Sequence, residues 1–220
     1  MAQQLRLRLR RPASYSRDEF VQGPSNAQAT AAVDAWPSWH AGCLVLVGGE
    51  GVGKTHLAQA WAVNAKAVVL GREAPDVAAA AGRPVLLEDV DQGVPDEALF
   101  HLINLAGHKG GGLLLTARTA PARWPATLPD LRSRLNALPV AEVEEPDDVV
   151  LEGVLRKFFR ERSIRPPKEV YAYLLRRMER SIPGAREIVR RLDEAADGPI
   201  SRVLAREVLE GDNQNLDLFE

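Results

Sequence analysis

Gly48-Gly49-Glu50-Gly51-Val52-Gly53-Lys54-Thr55-His56-Leu57 follows the apolar run Cys43-Leu44-Val45-Leu46-Val47 and opens the helical run Leu57-Ala58-Gln59-Ala60-Trp61-Ala62. Strand, glycine loop, Lys-Thr and helix form the context a phosphate-binding loop requires. Glycines let backbone N–H groups curl around a phosphate, and the helix N-terminus adds partial positive charge. Gly48, Gly49, Gly51, Val52 and Gly53 are therefore read as the backbone cradle of a bound nucleotide. Lys54 can reach the outer phosphates, and Thr55 can offer its hydroxyl to Mg²⁺. The bland alternative is a glycine-rich turn with a solvated lysine, which does not explain the flanking strand and helix.

Working outward, 220 residues suit one α/β core plus a smaller appendage. A hydrophobic share of 45% beside 26% charged residues places the chain among soluble globular proteins rather than disordered ones. The single cysteine, Cys43, excludes an internal disulfide, so a reducing, cytoplasmic setting is expected. No apolar run approaches the ~20 residues that span a bilayer, and no secretory segment is present, so no membrane partner is expected. The net charge of −2 hides an asymmetry. Residues 41–150 hold nine basic and fourteen acidic side chains, whereas residues 151–195 hold twelve basic and seven acidic ones. That basic segment could face phosphates or be a solvated helical surface.

Further apolar runs flank the loop in both directions. Ala67-Val68-Val69-Leu70 reads as a short buried strand, and Pro84-Val85-Leu86-Leu87-Glu88-Asp89 as an apolar strand ending in two acids. In a phosphate-loop protein such acids are a Walker B candidate: one carboxylate holds the Mg²⁺ shell and its neighbour orients the attacking water. Glu88 and Asp89 are assigned those roles, with Glu88 joining Thr55 at the metal. Leu113-Leu114-Leu115-Thr116 is another buried strand, and Thr116, Ala117 and Arg118 at its carboxyl end face where a ligand would lie. Val140 to Val143 adds a last short strand. Helices are expected over Ala27–Trp36 and Pro95–Gly107, with a short one at best over Pro75–Ala81, while Leu128–Leu138 carries Arg132 and Arg134. Five strands alternating with helices predict a doubly wound parallel sheet of the α/β class.

After Pro146-Asp147-Asp148 the pattern becomes purely helical. Leu151, Val154, Leu155, Phe158 and Phe159 form one apolar stripe, and three further stripes end at Met178, Leu192 and Val208. The expected organisation is a leader over 1–19, a nucleotide-binding core over 20–145, a small all-helical lid over 146–211 and a tail over 212–220. In the leader, Gln4-Leu5-Arg6-Leu7-Arg8-Leu9 alternates strictly, which suits an extended segment with its leucines on one side.

These motifs, in this order, resemble the AAA+ ATPases of the bacterial replication initiator family, DnaA, from Phe20 to about Glu210. Phe20-Val21-Gln22-Gly23-Pro24-Ser25-Asn26 resembles the family's adenine-pocket stretch, which implies Phe20 and Val21 as nucleotide contacts. Lys54-Thr55-His56-Leu57 resembles the end of its Walker A motif, bringing in His56, and Leu86 through Val90 its Walker B. Leu131-Arg132-Ser133-Arg134-Leu135 resembles the arginine-finger box, with Arg134 in the finger position, and Ala185-Arg186-Glu187 the sensor-2 helix, with Arg186 facing nucleotide. Two departures stand out. Glu88 replaces the family's usual first aspartate, which puts intrinsic hydrolysis in question, and Arg118 stands where the initiator has an acid.

The family's two other domains are not matched, so the resemblance points to its regulators rather than its initiators. Such a regulator binds ADP or ATP with Mg²⁺ and drives ATP hydrolysis by the replication initiator DnaA while docked on the DNA polymerase sliding clamp (β subunit). DNA is then met only through the clamp, and a homo-oligomer is possible. Sliding clamps accept short extended peptides, so Gln4, Leu5, Leu7 and Leu9 are the expected clamp contacts, with Asn215-Leu216-Asp217-Leu218-Phe219 a second candidate. Two alternatives stay open. One is a helicase-loader-type ATPase, which would need a helicase-binding domain where only roughly twenty residues precede the core. The other is a DNA-stimulated P-loop ATPase using its basic lid.

Overall fold

The computed structural model describes residues 15–216, with side chains through 211. The leader residues Gln4, Leu5, Leu7 and Leu9 and the tail from Asp217 lie outside this range.

The apolar runs become a parallel five-stranded sheet: β1 (Cys43–Val47), β2 (Val68–Leu70), β3 (Pro84–Leu87), β4 (Gly112–Ala117) and β5 (Val140–Glu142), in the order β2-β3-β4-β1-β5. β1 and β4 are buried along their whole length because both faces are covered, which is why they read as unbroken apolar runs rather than alternating ones. Period two then divides their side chains. Leu44, Leu46, Leu86 and Leu114 join one core, under α1 (Pro24–Asp34) and α2 (Lys54–Ala65). Cys43, Val45, Val85, Leu87, Leu113 and Leu115 join the other, under α3 (Asp96–Ala106) and α4 (Pro129–Ala137). Cys43 is fully buried, and burial pushes its thiol pKa up to about 12, so it behaves as a small core residue.

Three local expectations are corrected. β2 is predicted to be buried but is an edge strand with Val69 52% exposed, because its only neighbour among the described strands is β3. β3 stops at Leu87, so Glu88 and Asp89 leave the strand, and Asp89 adopts a left-handed φ of 54°. The helix expected from Ala27 begins at Pro24. Gly23 takes the N-cap position, Pro24 supplies the preset φ of the first turn, and Asn26 caps backwards by accepting the Gly23 N–H at 3.0 Å.

The lid packs α5 (Asp148–Glu161), α6 (Lys168–Leu174), α7 (Ile182–Ala195) and α8 (Arg202–Leu216) around the predicted stripes, with Leu151, Phe159, Leu174 and Leu192 fully buried. α8 continues past the apolar stripe that ends near Val208, as far as Leu216. Asp147 ties the lid to the core. Its carboxylate caps α5 through the Val150 N–H at 2.9 Å and also accepts the Ser25 N–H of α1 at 2.7 Å. Partial desolvation alone would raise its pKa, but the hydrogen bonds from Val150 and Ser25 hold it below the ordinary value. Among the described residues no helix is long and apolar enough to cross a membrane.

Candidate functional site: the phosphate loop under its lid

β1, near the middle of the sheet, delivers the loop at its carboxyl end, and α2 begins at Lys54, three residues ahead of the apolar run that marked it. Gly51 and Gly53 have φ values of 71° and 107°, a region that any residue with a Cβ enters at a cost. Lys54 is 8% exposed, and its ammonium donates to the carbonyls of Gly48 at 2.8 Å and Gly49 at 2.6 Å. Burial lowers its pKa, and the charges of Asp89, Asp91 and Glu50 oppose that shift while Arg118 adds to it. An ammonium held inside the loop with its charge only partly answered suits a polyanion. Thr55 is exposed beside it.

The acids meet the loop from β3. Glu88 accepts from the Gln59 side chain of α2 at 2.6 Å through one carboxylate oxygen, and the other is buried with no partner. An orphaned anionic oxygen next to the phosphate-loop helix fits a cation or its hydration shell. Among the described residues no group of three or more His, Cys, Asp or Glu side chains is set to hold a metal, so Mg²⁺ here would rest on Thr55, Glu88 and the nucleotide's own oxygens. The Asp89 N–H donates to the buried Thr116 hydroxyl at 3.0 Å, which locks the end of β3 to β4.

Asp91 was not singled out by the sequence. One of its oxygens accepts from the Arg118 N–H at 2.9 Å, the Thr119 N–H at 3.1 Å and the Thr119 hydroxyl at 3.3 Å, and the other is buried without a partner. Its signal was only an acid in the turn Asp91-Gln92-Gly93. Arg118, so held, pairs with Glu50 of the loop at 3.1 Å.

Phe20 is buried against His56, ring edge to ring face with centroids 5.5 Å apart. Val21 packs against the lid so closely that a Cβ on Gly153 would come within 2.5 Å of it. His56 turns away from the loop interior, toward Phe20 and Tyr15, with its Nε2 3.4 Å from the Ser16 carbonyl. From the lid, α7 comes down on the loop: the Ile182 N–H donates to the Gly51 carbonyl at 3.1 Å. One turn on, the exposed Arg186 lays its guanidinium 4.3 Å from the Phe158 ring centroid.

The two arginines of the α4 box differ sharply. Arg132 points inward and donates to the carbonyls of Trp124 at 2.7 Å, Ala126 at 3.3 Å and Ala122 at 3.4 Å. Arg134 is exposed, with its guanidinium resting 5.0 Å from the Phe100 ring centroid.

A phosphate loop near the middle of a 2-3-4-1-5 parallel sheet, with a helical lid bonded to it, defines a domain of the AAA+ ATPase class. The structure superposes on domain III of the Thermotoga maritima replication initiation protein DnaA with a TM-score of 0.71, at 21% identity over 90% of this chain and 96% of that one. It also matches the Thermotoga maritima RuvB Holliday junction branch migration motor, with a TM-score of 0.68 and 17% identity over 90% of this chain and 72% of that one. In sequence, residues 12–74 match the family described as bacterial DnaA ATPase domain. The chromosomal replication initiator protein DnaA of Rippkaea orientalis is 30% identical over 190 residues, covering 73% of this chain and 42% of that protein. That of Thermomicrobium roseum is 26% identical, covering 90% of this chain and 50% of that protein. The chain carries a DnaA-related AAA+ ATPase domain, and it spans about half or less of the length of these initiators.

Proposed function

We propose that this chain is a nucleotide-bound regulator of the Hda type, which promotes ATP hydrolysis by the replication initiator DnaA in trans while docked on the sliding clamp. The observation that carries the reading is the contrast between Arg132 and Arg134. Arg132 spends its donors on three backbone carbonyls, whereas Arg134 offers its guanidinium at the surface with only an aromatic ring beneath it. Such a group can approach a neighbour's nucleotide without dismantling its own fold. An arginine supplied in trans stabilises the charge spread over a transferring phosphoryl group and can be worth about 10³–10⁵ in rate.

In this reading the chain's own nucleotide, ADP or ATP, lies in the loop formed by Gly48, Gly49, Gly51, Val52 and Gly53. Lys54 answers its outer phosphates, and Thr55 and Glu88 hold Mg²⁺. Phe20 and Val21 border the base, with His56 behind Phe20. Arg186 approaches from the lid, and Asp89 stands where a water would be oriented. Initiators bound to AMPPCP, including that from Aquifex aeolicus, share the fold at TM-scores of 0.68 and 0.69, which supports a nucleotide in this loop. In this reading the chain's own turnover is weak, because Glu88 stands where the family's usual first acid is an aspartate. Gln4, Leu5, Leu7 and Leu9 dock on the clamp. The deciding experiment is ATP turnover by the initiator with and without this protein, clamp and DNA. Stimulation that needs clamp, DNA and Arg134 together supports the regulator. Turnover by this chain alone on adding DNA would instead favour a DNA-stimulated ATPase.

A further inference from the structure

Lid helix α5 meets the stretch ahead of α1 in reverse order, residue by residue. Asp147, its cap, binds Ser25; Val150 packs on Gly23; Gly153 lies against Val21; Lys157 reaches Glu19. Spacings of three, three and four residues put these positions on one face of the helix. Their partners fall on every second residue from 25 back to 19. The middle contacts are close: a Cβ on Gly23 would lie 2.6 Å from Val150 Cγ2, and one on Gly153 would lie 2.5 Å from Val21 Cγ1. Phe20 turns the other way, onto His56 of α2. The stretch is therefore gripped between the lid and the phosphate-loop helix.

Its two ends are held differently. Ser25 already belongs to α1, and besides accepting its N–H, Asp147 donates its own N–H to the Ser25 hydroxyl at 3.2 Å. At Glu19 the lid's hold is Lys157. Its ammonium donates to the Glu19 carbonyl at 3.1 Å and lies 3.2 Å from the Glu19 carboxylate, and its side chain is only 18% exposed. The charges of Lys157 and Glu19 also act on His56, two residues beyond Lys54.

We infer that Lys157 is a positioning residue for the bound nucleotide: it latches residues 19–21 to the lid and so slows nucleotide release. The inference rests on the nucleotide reading of the loop, in which Phe20 and Val21 border the base. Those two residues release the base only when the stretch lifts from α5 or from His56. Lifting starts at Glu19, because the opposite end is continuous with α1. The apolar contacts of Val21 and Val150 are non-directional and let the stretch slide. The ammonium is directional, so it fixes where Glu19, and Phe20 after it, come to rest.

The test is stopped-flow release of the fluorescent methylanthraniloyl derivative of ADP from the full chain, chased with excess ADP and Mg²⁺. The proteins compared are wild type, Lys157→Met, Lys157→Arg and Arg162→Met. Methionine keeps the apolar stem but cannot donate, whereas arginine keeps both charge and reach. Losing one charge-assisted hydrogen bond at a partly exposed site corresponds to about tenfold, so Lys157→Met should release the nucleotide about tenfold faster. Lys157→Arg should stay within roughly threefold of wild type. Arg162→Met removes an ion pair with Asp193 from the end of the same helix, away from the stretch, and should release at the wild-type rate. Added salt should hasten release from wild type and leave Lys157→Met unchanged, because only the former has the ion contact to screen. Release from Lys157→Met at the wild-type rate, or equal acceleration in Arg162→Met, would overturn the inference. If wild type does not bind the fluorescent nucleotide, the nucleotide reading itself fails and takes this inference with it.

Discussion

The Ile182 backbone N–H donates to the Gly51 carbonyl at 3.1 Å, so the first residue of lid helix α7 is hydrogen-bonded to the phosphate loop itself. Ile182 is held there by its own cap, since the preceding Ser181 accepts the Gly184 N–H at 2.9 Å and fixes the entry of the helix. Arg186, one turn further along, is positioned by this helix entry and by the Phe158 ring, whose centroid lies 4.3 Å from its guanidinium. Through that bond, lid and loop form one hydrogen-bonded unit.

Gly51→Ala should break this unit. An alanine at φ 71° costs about 1–2 kcal/mol on backbone grounds, and its Cβ would lie 2.8 Å from the Pro183 Cδ. The prolyl ring cannot swing aside as a flexible side chain would. We expect α7 to lift from the loop, seen as faster hydrogen exchange at Ile182 and Ala185, with nucleotide affinity lowered about tenfold or more. Wild-type exchange and affinity in this variant would show that the contact is incidental.

Lys54→Ala should separate binding from folding. Two charge-assisted hydrogen bonds to phosphate at ~1.5–3 kcal/mol each correspond to about a hundredfold loss of nucleotide affinity or more. The fold should survive at a cost of about 1–3 kcal/mol, because the Gly49 carbonyl lies at the exposed end of the loop and only the buried Gly48 carbonyl is left without its donor. Calorimetric titration with ADP, alongside thermal unfolding, checks both halves. Undiminished ADP affinity would remove the loop from the proposed function.

His56 carries a pH dependence whose sign is fixed. Burial is the largest influence on it and lowers its pKa in the fold, against a weaker upward pull from the Ser16 carbonyl. A base with a lowered folded pKa binds fewer protons folded than unfolded, so stability rises with pH through its titration. The contribution is fully present above the unfolded pKa of about 6.5 and is lost as pH falls through the window below it. His56→Phe keeps the ring contacts with Phe20 and Tyr15 but removes the titration. Urea unfolding at pH 7.5 and 5.5 should show a smaller acid loss in the variant than in wild type, and equal losses would contradict the assignment.

Much of this molecule was legible because burial on both faces writes strands as plain apolar runs. Cys43–Val47 and Leu113-Leu114-Leu115 needed no neighbours to be recognised, and the phosphate loop announced itself between one of them and a helix. What stayed hidden depends on partners distant in sequence. Val69 is apolar, and only the strand order leaves it at an edge. The start of α1 was missed because Asn26 caps in reverse, from inside the helix. Asp91 looked like any acid in a turn until Arg118 and Thr119 were brought beside it by β4, and the pairing of Arg118 with Glu50 follows from the same alignment. Arg132 and Arg134 share one helix and one composition, and only the path of residues 122–126 distinguishes them.

In the proposed regulator, clamp docking would rest on the leader, whose alternating leucines suit an extended bound segment. Leu5→Ala/Leu7→Ala/Leu9→Ala should lose clamp binding with nucleotide affinity untouched. Leu218→Ala/Phe219→Ala should lose little, since the tail offers Asn215 where the longer glutamine makes the polar contact. Surface plasmon resonance against immobilised clamp would read both. Loss only in the second pair would move the dock to the other terminus, and loss in neither would leave the clamp out of the mechanism.

Arg132→Ala and Arg134→Ala should fail in opposite ways. Arg132 is half-buried and satisfies the carbonyls of Trp124, Ala126 and Ala122, so its removal strands acceptors in the segment that leads into α4. A cost of about 2–3 kcal/mol is expected, or roughly 4–12 °C in Tm for a domain of this size. Arg134 gives up only its contact with the Phe100 ring, about 0.5–1 kcal/mol at an exposed site, so the fold and the protein's own nucleotide affinity should hold. Its loss should instead abolish stimulation of initiator hydrolysis, because a finger serves the neighbouring site and not its own. Thermal unfolding, ADP titration and the initiator turnover assay on the two purified variants distinguish these roles. If Arg134→Ala still stimulates the initiator fully, a finger in trans from α4 is excluded. If Arg132→Ala alone loses stimulation while its stability is unchanged, the roles of the two arginines are reversed.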